Sequence, residues 1–523
     1  MQHRPVLPTA CFLFLGTWLL LAATSSGHLF VADELCYYHM ARSFVDHGGF
    51  DVPSPQEDLN IRQAQLGVDG RYYTPFSFGH ALYLAPWVWV SQGVQGFLQK
   101  PWAPVFTFSF VHAFTTSLTW MLFFVILVDG GVLTRRALLF TLASLFSTLA
   151  FPYARSLFSE PALALSLTVA WFCFGRLNSR WFLFALAGGA ALAFAVTIRP
   201  PAVVLLPGLW LLAWRQAALK AMENVADSGV RRWRTAGRVV VVIAISLVGT
   251  ALVVFFNYYR FGDISNLGYP PFPSGRAQGF TNPIWNGLAI FLLSPGKAIW
   301  LFNPLLILSA IGWRLMWNKE RLIAGAIAWV FLANLILHSL WIQPEGGVCW
   351  GPRFFVGILP ILLLPAGFLW GLGISRRLNV ATTALVILGL AVQTMGVVVN
   401  YSGLIAYESL VPRWASRAIY YDSPDRYNLL FSPFPAHKEK LREILAAGPI
   451  LALRPESMRE ASERSRTHSF PFWCDTLDFW PIHLIKDGYP VLPVLAIETA
   501  MVLAGMTLVL LAFRKSVGRP MDS

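Results

Sequence analysis

Val239-Val-Val-Val-Ile-Ala-Ile-Ser-Leu-Val-Gly-Thr-Ala-Leu-Val-Val-Phe-Phe-Asn-Tyr258 carries no charge, and it follows directly on Arg231, Arg232, Arg234 and Arg238. Wound as a helix, a run of about 20 residues at about 1.5 Å each spans the roughly 30 Å hydrocarbon core of a bilayer. The four arginines mark the end that stays cytoplasmic. Apolar runs recur before it at 11–23, 105–128, 137–151, 161–174, 181–198 and 202–214, and after it at 299–313, 322–341, 354–373, 380–400 and 491–513. Several are short and extend through flanking aromatics. Of 523 residues, 56% are hydrophobic and only 13% charged. Soluble proteins carry about 25% charged residues, so the apolar surface of this chain must face lipid. The expected fold is an all-α polytopic membrane protein of about 12 transmembrane helices.

Charge placement tests that count. With the amino terminus cytoplasmic and every run crossing, 19 of the 40 basic residues but only five of the 27 acidic ones fall on the cytoplasmic side. Nearly the whole net charge of +13 therefore sits on one face, as the positive-inside rule requires. A missed span would scramble that pattern. The basic balance reports orientation, and no basic face interleaved with stacking aromatics points to nucleic acid. The first run also reads as a cleavable signal peptide, because Ala22-Ala23-Thr24-Ser25 follows a short apolar core. Asp33 lies outside on either reading.

The chain divides into a transmembrane region at 1–400 with an outer loop at 24–104, an extracytoplasmic insertion at 401–490, and a last helix with its tail at 491–523. Cys36, Cys349 and Cys474 fall on the outer side, where a disulfide is permitted, although no spacing selects a pair. No Cys/His cluster with metal-ligand spacing is expected.

Asp33-Glu34 stands about ten residues past the first run. Burying a carboxylate in hydrocarbon costs roughly 2.5–3.5 kcal/mol even on lenient scales. The pair must stay hydrated, find cations or do chemistry. Tyr37, Tyr38 and Ala41 suggest a helix lying along the interface and holding both acids at the membrane edge. A carboxylate there can act as general base toward a hydroxyl, with desolvation raising its basicity and a nearby cation opposing that. The stretch 80–97, with Trp87 and Trp89, reads as interfacial, and 262–297 as a Pro- and Gly-rich outer loop. Glu160 opens the fourth run on the outer side, where it can orient an acceptor, pair with Arg155 or cap its helix. His80 and His338 read as structural, and Glu498 as a packing or lipid-contact residue.

Asp33-Glu34 followed by aromatics and Ala41-Arg42 resembles the start of the GT-C superfamily of membrane glycosyltransferases. The likeness is to its bacterial polyprenyl-phosphate-sugar-dependent branch, related to protein O-mannosyltransferases and aminoarabinose transferases. Asp69-Gly-Arg-Tyr-Tyr-Thr-Pro-Phe-Ser-Phe-Gly79 resembles that branch's second loop motif, with Phe-Ser-Phe-Gly replacing the usual Pro-Pro-Gly. Phe158-Ser-Glu160, Ile198-Arg-Pro-Pro201, Ser294-Pro-Gly-Lys-Ala298 with Asn303-Pro304, and Trp350-Gly-Pro-Arg-Phe354 resemble later landmarks in the same order. The resemblance covers about residues 30–370, and nothing in 401–490 matches.

The resemblance implies a donor sugar on a polyprenyl phosphate, an acceptor hydroxyl on a glycan, lipid or protein, and inversion at the anomeric carbon. Asp33 and Glu34 would be catalytic. Arg353, Lys297 and Arg199 would bind the donor phosphate, with Arg155 a weaker candidate, because fixed cations stabilise a phosphate leaving group. Tyr73, Arg71, Glu160 and Trp350 would contact substrate. No cofactor is required, while a divalent metal, Mg²⁺ or Mn²⁺, on Asp33 and Glu160 stays open. The implied location is a bacterial inner membrane, with the site facing the extracytoplasmic side and membrane lipids around it.

Other readings remain. A polyprenyl-linked glycan flippase or transporter would place charges within several spans and break helices at mid-membrane. A polysaccharide polymerase or ligase would centre on Arg and His in the late loop, at Arg454–His468. A non-enzymatic assembly partner would need no carboxylate at the mouth of the first span.

Overall fold

The computed structural model describes residues 6–58, 61, 64–177, 180–224, 228–269, 279–347, 349–371, 373, 375–401, 433–448 and 476–516. In chain order its helices are α1 (Val6–Ala23), α2 (Ala32–His47), α3 (Phe78–Leu98), α4 (Ala103–Phe108), α5 (Val111–Asp129) and α6 (Thr134–Phe146). They continue with α7 (Ala150–Tyr153), α8 (Glu160–Gly175), α9 (Trp181–Ile198), α10 (Leu206–Asn224), α11 (Ser228–Phe261) and α12 (Ile284–Leu293). Then come α13 (Ile299–Phe302), α14 (Leu306–Lys319), α15 (Arg321–Leu340), α16 (Leu359–Gly371) and α17 (Arg376–Val398). Helices over Pro433–Ala447, Trp480–Lys486 and Val491–Ser516 follow.

Each of the twelve apolar runs falls on helix, some with a short break. Among the described residues, nine helices are long and apolar enough to cross a membrane. The other three runs form α6, α8 and α14, of 13, 16 and 14 residues. Pro304 accounts for one of these, since a residue with no N–H breaks its run into α13 and α14. The molecule is an all-α polytopic membrane protein.

Without water between helices, close packing has to hold them together, and small residues permit it. The Val239–Tyr258 stretch forms most of α11 and places Gly249 on α9, where an added Cβ would lie 2.1 Å from the Ala193 carbonyl oxygen. Gly16 of α1 meets Gly505 of the closing helix in the same way: a Cβ on Gly16 would lie 2.9 Å from the Gly505 carbonyl oxygen. The first apolar run is thus part of the helix bundle.

The loop at 24–104 carries a two-residue hairpin, β1 (Gln65–Leu66) against β2 (Tyr72–Tyr73), antiparallel with Gln65 opposite Tyr73. Gly70 lies between the strands at φ 81. Within 401–490, the described parts sit on the bundle. Phe434 stacks on Phe302 with ring centroids 5.3 Å apart, and the Trp480 amide donates to Ser25 O at 2.9 Å. Arg454–His468, Cys474 and most of the Pro-rich 269–276 segment lie outside the described residues. Cys36 and Cys349 are buried free thiols. His80 is no lone histidine: its Nε2 lies 3.3 Å from His112 Nε2 in a stacked, buried pair.

Candidate active site

α2 begins after the extended Val31 and ends where Gly48 adopts φ 74 and caps onto Phe44 O. Asp33 and Glu34 both lie in its first turn, but adjacent helical side chains diverge by about 100°. The two acids consequently part company. Asp33 faces a cavity of about 160 Å³ and accepts a hydrogen bond from Arg353 Nη1 at 3.1 Å. Glu34 turns inward, fully buried, and accepts from the Phe30 amide at 2.6 Å and the Leu157 amide at 3.0 Å. Burial pushes its carboxyl up to about 8 despite those donors. Glu34 lies off the cavity wall, so the expected catalytic role becomes a positioning one, tying the start of α2 to the corner before α8.

Arg353 opens a 3₁₀ turn, Arg353–Ile358, that follows Gly351-Pro352. Gly351 holds φ 62, and a Cβ there would strike the Phe302 ring at 2.6 Å. Lys297 supports this turn from behind: its Nζ donates to Cys349 O at 2.9 Å and Gly351 O at 3.1 Å. Trp350 is also buried, its Nε1 donating to Gln393 Oε1 at 3.2 Å while its carbonyl accepts from the Tyr153 hydroxyl at 3.1 Å. Neither Lys297 nor Trp350 lines the cavity. The structure corrects the expected phosphate and substrate contacts at these two positions: both hold the Arg353 turn in place.

Glu160 and Arg199 complete the wall. Glu160 starts α8, and Arg199 lies in the extended link between α9 and the 3₁₀ turn Pro200–Leu205. Arg199 Nη1 donates to Glu160 Oε1, and Arg353 Nε lies 3.8 Å from the same oxygen. Glu160 Oε2 is buried with no hydrogen-bond partner among the described residues. Glu160 therefore pairs with Arg199 and not with Arg155, whose guanidinium binds Val397 O and Asp478. Arg353 sits between Asp33 and Glu160, within ion-pair distance of both.

Arg71 and Tyr73 belong to the hairpin and do not reach the cavity. Arg71 Nη1 pairs with Asp51 at 3.3 Å, and the Tyr73 hydroxyl donates to Asp69 Oδ2 at 2.7 Å. The loop's contribution is made instead by Pro75, Phe76 and Ser77. Arg260 fixes them, its Nη1 donating to Thr74 O at 2.6 Å and Phe76 O at 3.2 Å while Nη2 donates to Asn257 Oδ1 at 2.7 Å. The sequence reading missed Arg260. The available signal was an arginine closing the longest apolar helix just before Gly262.

His338 also lines the cavity. Its Nδ1 donates to Asn334 O at 2.9 Å, leaving Nε2 as an acceptor, and its ring stacks on Phe354 at 4.3 Å. Phe158, Phe280 and Trp341 add aromatic wall, and the Tyr37 phenol donates to Ser159 Oγ at 3.2 Å.

Arg199, Arg260 and Arg353 outnumber Asp33 and Glu160 on this wall. An excess of fixed cations in a partly dry cleft favours an anion, and the aromatic faces suit a sugar or prenyl chain. The volume is well above the roughly 10–15 Å³ needed for one water.

No protein-family model matches the sequence, and no curated protein does. Two similar solved structures are of ArnT from Cupriavidus metallidurans. The one bound to undecaprenyl phosphate has 17% identity and a TM-score of 0.42, covering 98% of this chain and 78% of that one. The apo state has 16% identity and a TM-score of 0.43, covering 98% and 77%. At that distance the likeness lends no weight to a function, which has to come from the cavity itself.

Proposed function

We propose that this chain is a membrane glycosyltransferase moving a sugar from a polyprenyl-phosphate donor to an acceptor hydroxyl on the extracytoplasmic side, with inversion. The observation that carries this reading is a convergence. Asp33, Glu160, Arg199 and Arg353 come from four separate segments and line one cavity. That set supplies a base and fixed cations for a leaving phosphate, as the sequence resemblance implies.

In the resting protein Arg353 holds Asp33 in an ion pair. A donor phosphate competes for that guanidinium, because Arg–phosphate hydrogen bonds are charge-assisted and bidentate. As Arg353 leans onto the phosphate, Asp33 is released to take the proton of the acceptor hydroxyl. The acceptor oxygen then bonds to the anomeric carbon, the bond from that carbon to the phosphate oxygen breaks, and the lipid phosphate departs with the electron pair. Arg353 and Arg199 share its charge, while Glu160 keeps Arg199 aimed. The base is thus armed only when donor is present, which guards against idle hydrolysis.

The test is transfer of radiolabelled sugar from a panel of polyprenyl-phosphate sugars to native membrane acceptors. Removing a general base costs about 10²–10⁴-fold. Asp33→Asn should lose transfer on that scale while still inserting and binding donor. Near-normal turnover in that variant would sink the assignment.

One observation favours the transport reading enough to keep it in the assay. A second cavity, of about 520 Å³, lies at the other end of α8, lined by Trp171, Arg176, Arg215 and Lys319. Lipid movement between leaflets without sugar transfer, equal in wild type and Asp33→Asn, would put that reading first.

A further inference from the structure

His28, Asp478 and His483 come together on the outer side although they lie up to 455 positions apart. All three are buried, and one potential ligand atom from each lies within 4.8 Å of the others. His28 Nε2 is 2.8 Å and His483 Nε2 is 3.1 Å from the same carboxylate oxygen, Asp478 Oδ1. Nothing in the glycosyl-transfer reading uses these residues.

The proton positions are what make the cluster informative. His28 Nδ1 lies 3.0 Å from Leu29 O. A carbonyl can only accept, so Nδ1 carries the hydrogen and the neutral ring presents a lone pair at Nε2. That lone pair faces a carboxylate oxygen at 2.8 Å. Two acceptors at this distance require something positive between them. A proton can bridge only one imidazole to Oδ1, while Arg155 Nη2 lies 3.1 Å from the other oxygen, Asp478 Oδ2. A divalent ion would instead use the lone pairs of both imidazoles and of Oδ1 together.

We propose that His28, Asp478 and His483 bind a transition-metal ion of the zinc class. Zinc takes imidazole nitrogen and carboxylate oxygen at about 2.0–2.2 Å, which sets tetrahedral ligand atoms roughly 3.3 Å apart. The observed separations of 2.8 and 3.1 Å need only a small expansion. The Nδ1 hydrogen bond of His28 to a backbone carbonyl is the outer contact that fixes a metal-binding tautomer. Asn400 lies beside the site, its side-chain amide 3.4 Å from His28 Nε2, and a water can complete a four-coordinate set. Arg155 then sits behind the ion on the far carboxylate oxygen.

The ion would clasp the loop after α1 to the stretch entering the Trp480–Lys486 helix and to that helix itself, beside the end of α17. Backbone bonds already follow that path, with the Asp478 amide donating to Val398 O at 2.9 Å and the Trp480 amide to Ser25 O at 2.9 Å. The clasp ends two residues before Phe30, whose ring lies 4.8 Å from that of His28 and whose amide holds Glu34. Metal binding would thus set where α2, and Asp33 on it, begins.

The experiment is metal counting on the full-length protein in detergent, stripped with chelator, reloaded with Zn²⁺ and desalted. The expected result is about one zinc per chain, falling at least tenfold in His28→Ala and His483→Ala but not in His47→Ala, whose ring is exposed. Cobalt in place of zinc gives an independent readout on the unmutated protein: visible absorption of a four-coordinate nitrogen–oxygen site. It keeps the proposal testable where a variant fails to fold. Wild type that takes up no metal, or that retains it equally in both variants, would overturn the proposal, and the cluster would then be a protonated His28 on Asp478. Metal content is read without any sugar transfer, so this result is independent of the proposed activity.

Discussion

Arg353 touches both acids of the cavity, which makes it the residue whose replacement says most. It reaches Asp33 at 3.1 Å and Glu160 at 3.8 Å, and its guanidinium carbon lies 4.6 Å from the centre of the Phe158 ring. On the proposed reading, Arg353→Ala would remove the phosphate partner and leave Asp33 without its cation, while Glu160 keeps Arg199. Loss of one transition-state donor costs about 10²–10³ in kcat, and that loss is expected here in single-turnover sugar transfer. Arg353→Lys keeps the charge without the planar fork, so it should recover only part of the rate. Equal activity in the lysine variant would mean that the residue acts as a bare charge.

Glu34 offers a separate measurement at the same scale. Its carboxyl is raised by burial from 4.5 to about 8, so the folded state holds this proton more tightly than the unfolded chain. The associated stability is fully present below about pH 4.5 and is lost as pH rises through about 8. Wild type should therefore show a melting temperature that declines across that window relative to Glu34→Gln. Parallel curves would show that Glu34 is ionised throughout, held so by its backbone donors.

Among elements, α1 and the closing helix depend on the Gly16–Gly505 contact. Gly16→Leu would force the backbones apart, since even its Cβ would sit 2.9 Å from Gly505 O and from Val509 Cγ2. Overpacking of this kind costs about 1–3 kcal/mol. The expected outcome is a lower melting temperature, with sugar transfer per folded molecule retained. A variant as stable as wild type would place the α1 contact outside the cooperative unit.

Elements were also where the sequence was most readable. A bilayer leaves an apolar run few alternatives to helix, so Val239–Tyr258 declared α11 by itself. Asp33 and Arg353 stood out because charge beside lipid needs a reason. Side-chain direction was not readable, because Asp33 and Glu34 are equivalent until one knows how α2 is rotated. Partners far apart in sequence were hidden too: Lys297 with the Cys349 carbonyl, Arg260 with Thr74, and His28 with Asp478. Lys297 carries the same charge whether it meets a phosphate or two carbonyls, and only the packed turn decides between them.

At the scale of the whole molecule, the cavity's position and the charge asymmetry have to agree on a side. α8 carries Glu160 at one end and is followed by Arg176 at the other, where Arg176 Nη2 pairs with Asp129 at 2.6 Å. Sixteen residues of helix separate the two sides by roughly 24 Å. The basic excess collects at the Arg176 end, so the positive-inside rule predicts Asp33, Glu160 and Arg353 on the extracytoplasmic side. A donor displayed on a lipid carrier in the outer leaflet could then meet its acceptor without crossing the bilayer. Two exposed serines test this orientation with little disturbance. Ser265 follows α11 at the cavity end, and Ser375 precedes α17 at the other end. In a background lacking Cys11 and Cys474, Ser265→Cys should react with a membrane-impermeant maleimide in intact cells, and Ser375→Cys only after permeabilisation. The reverse pattern would turn the molecule over, moving the cavity to the cytoplasmic face and excluding an extracytoplasmic acceptor, and labelling of both without permeabilisation would break the helix count between them.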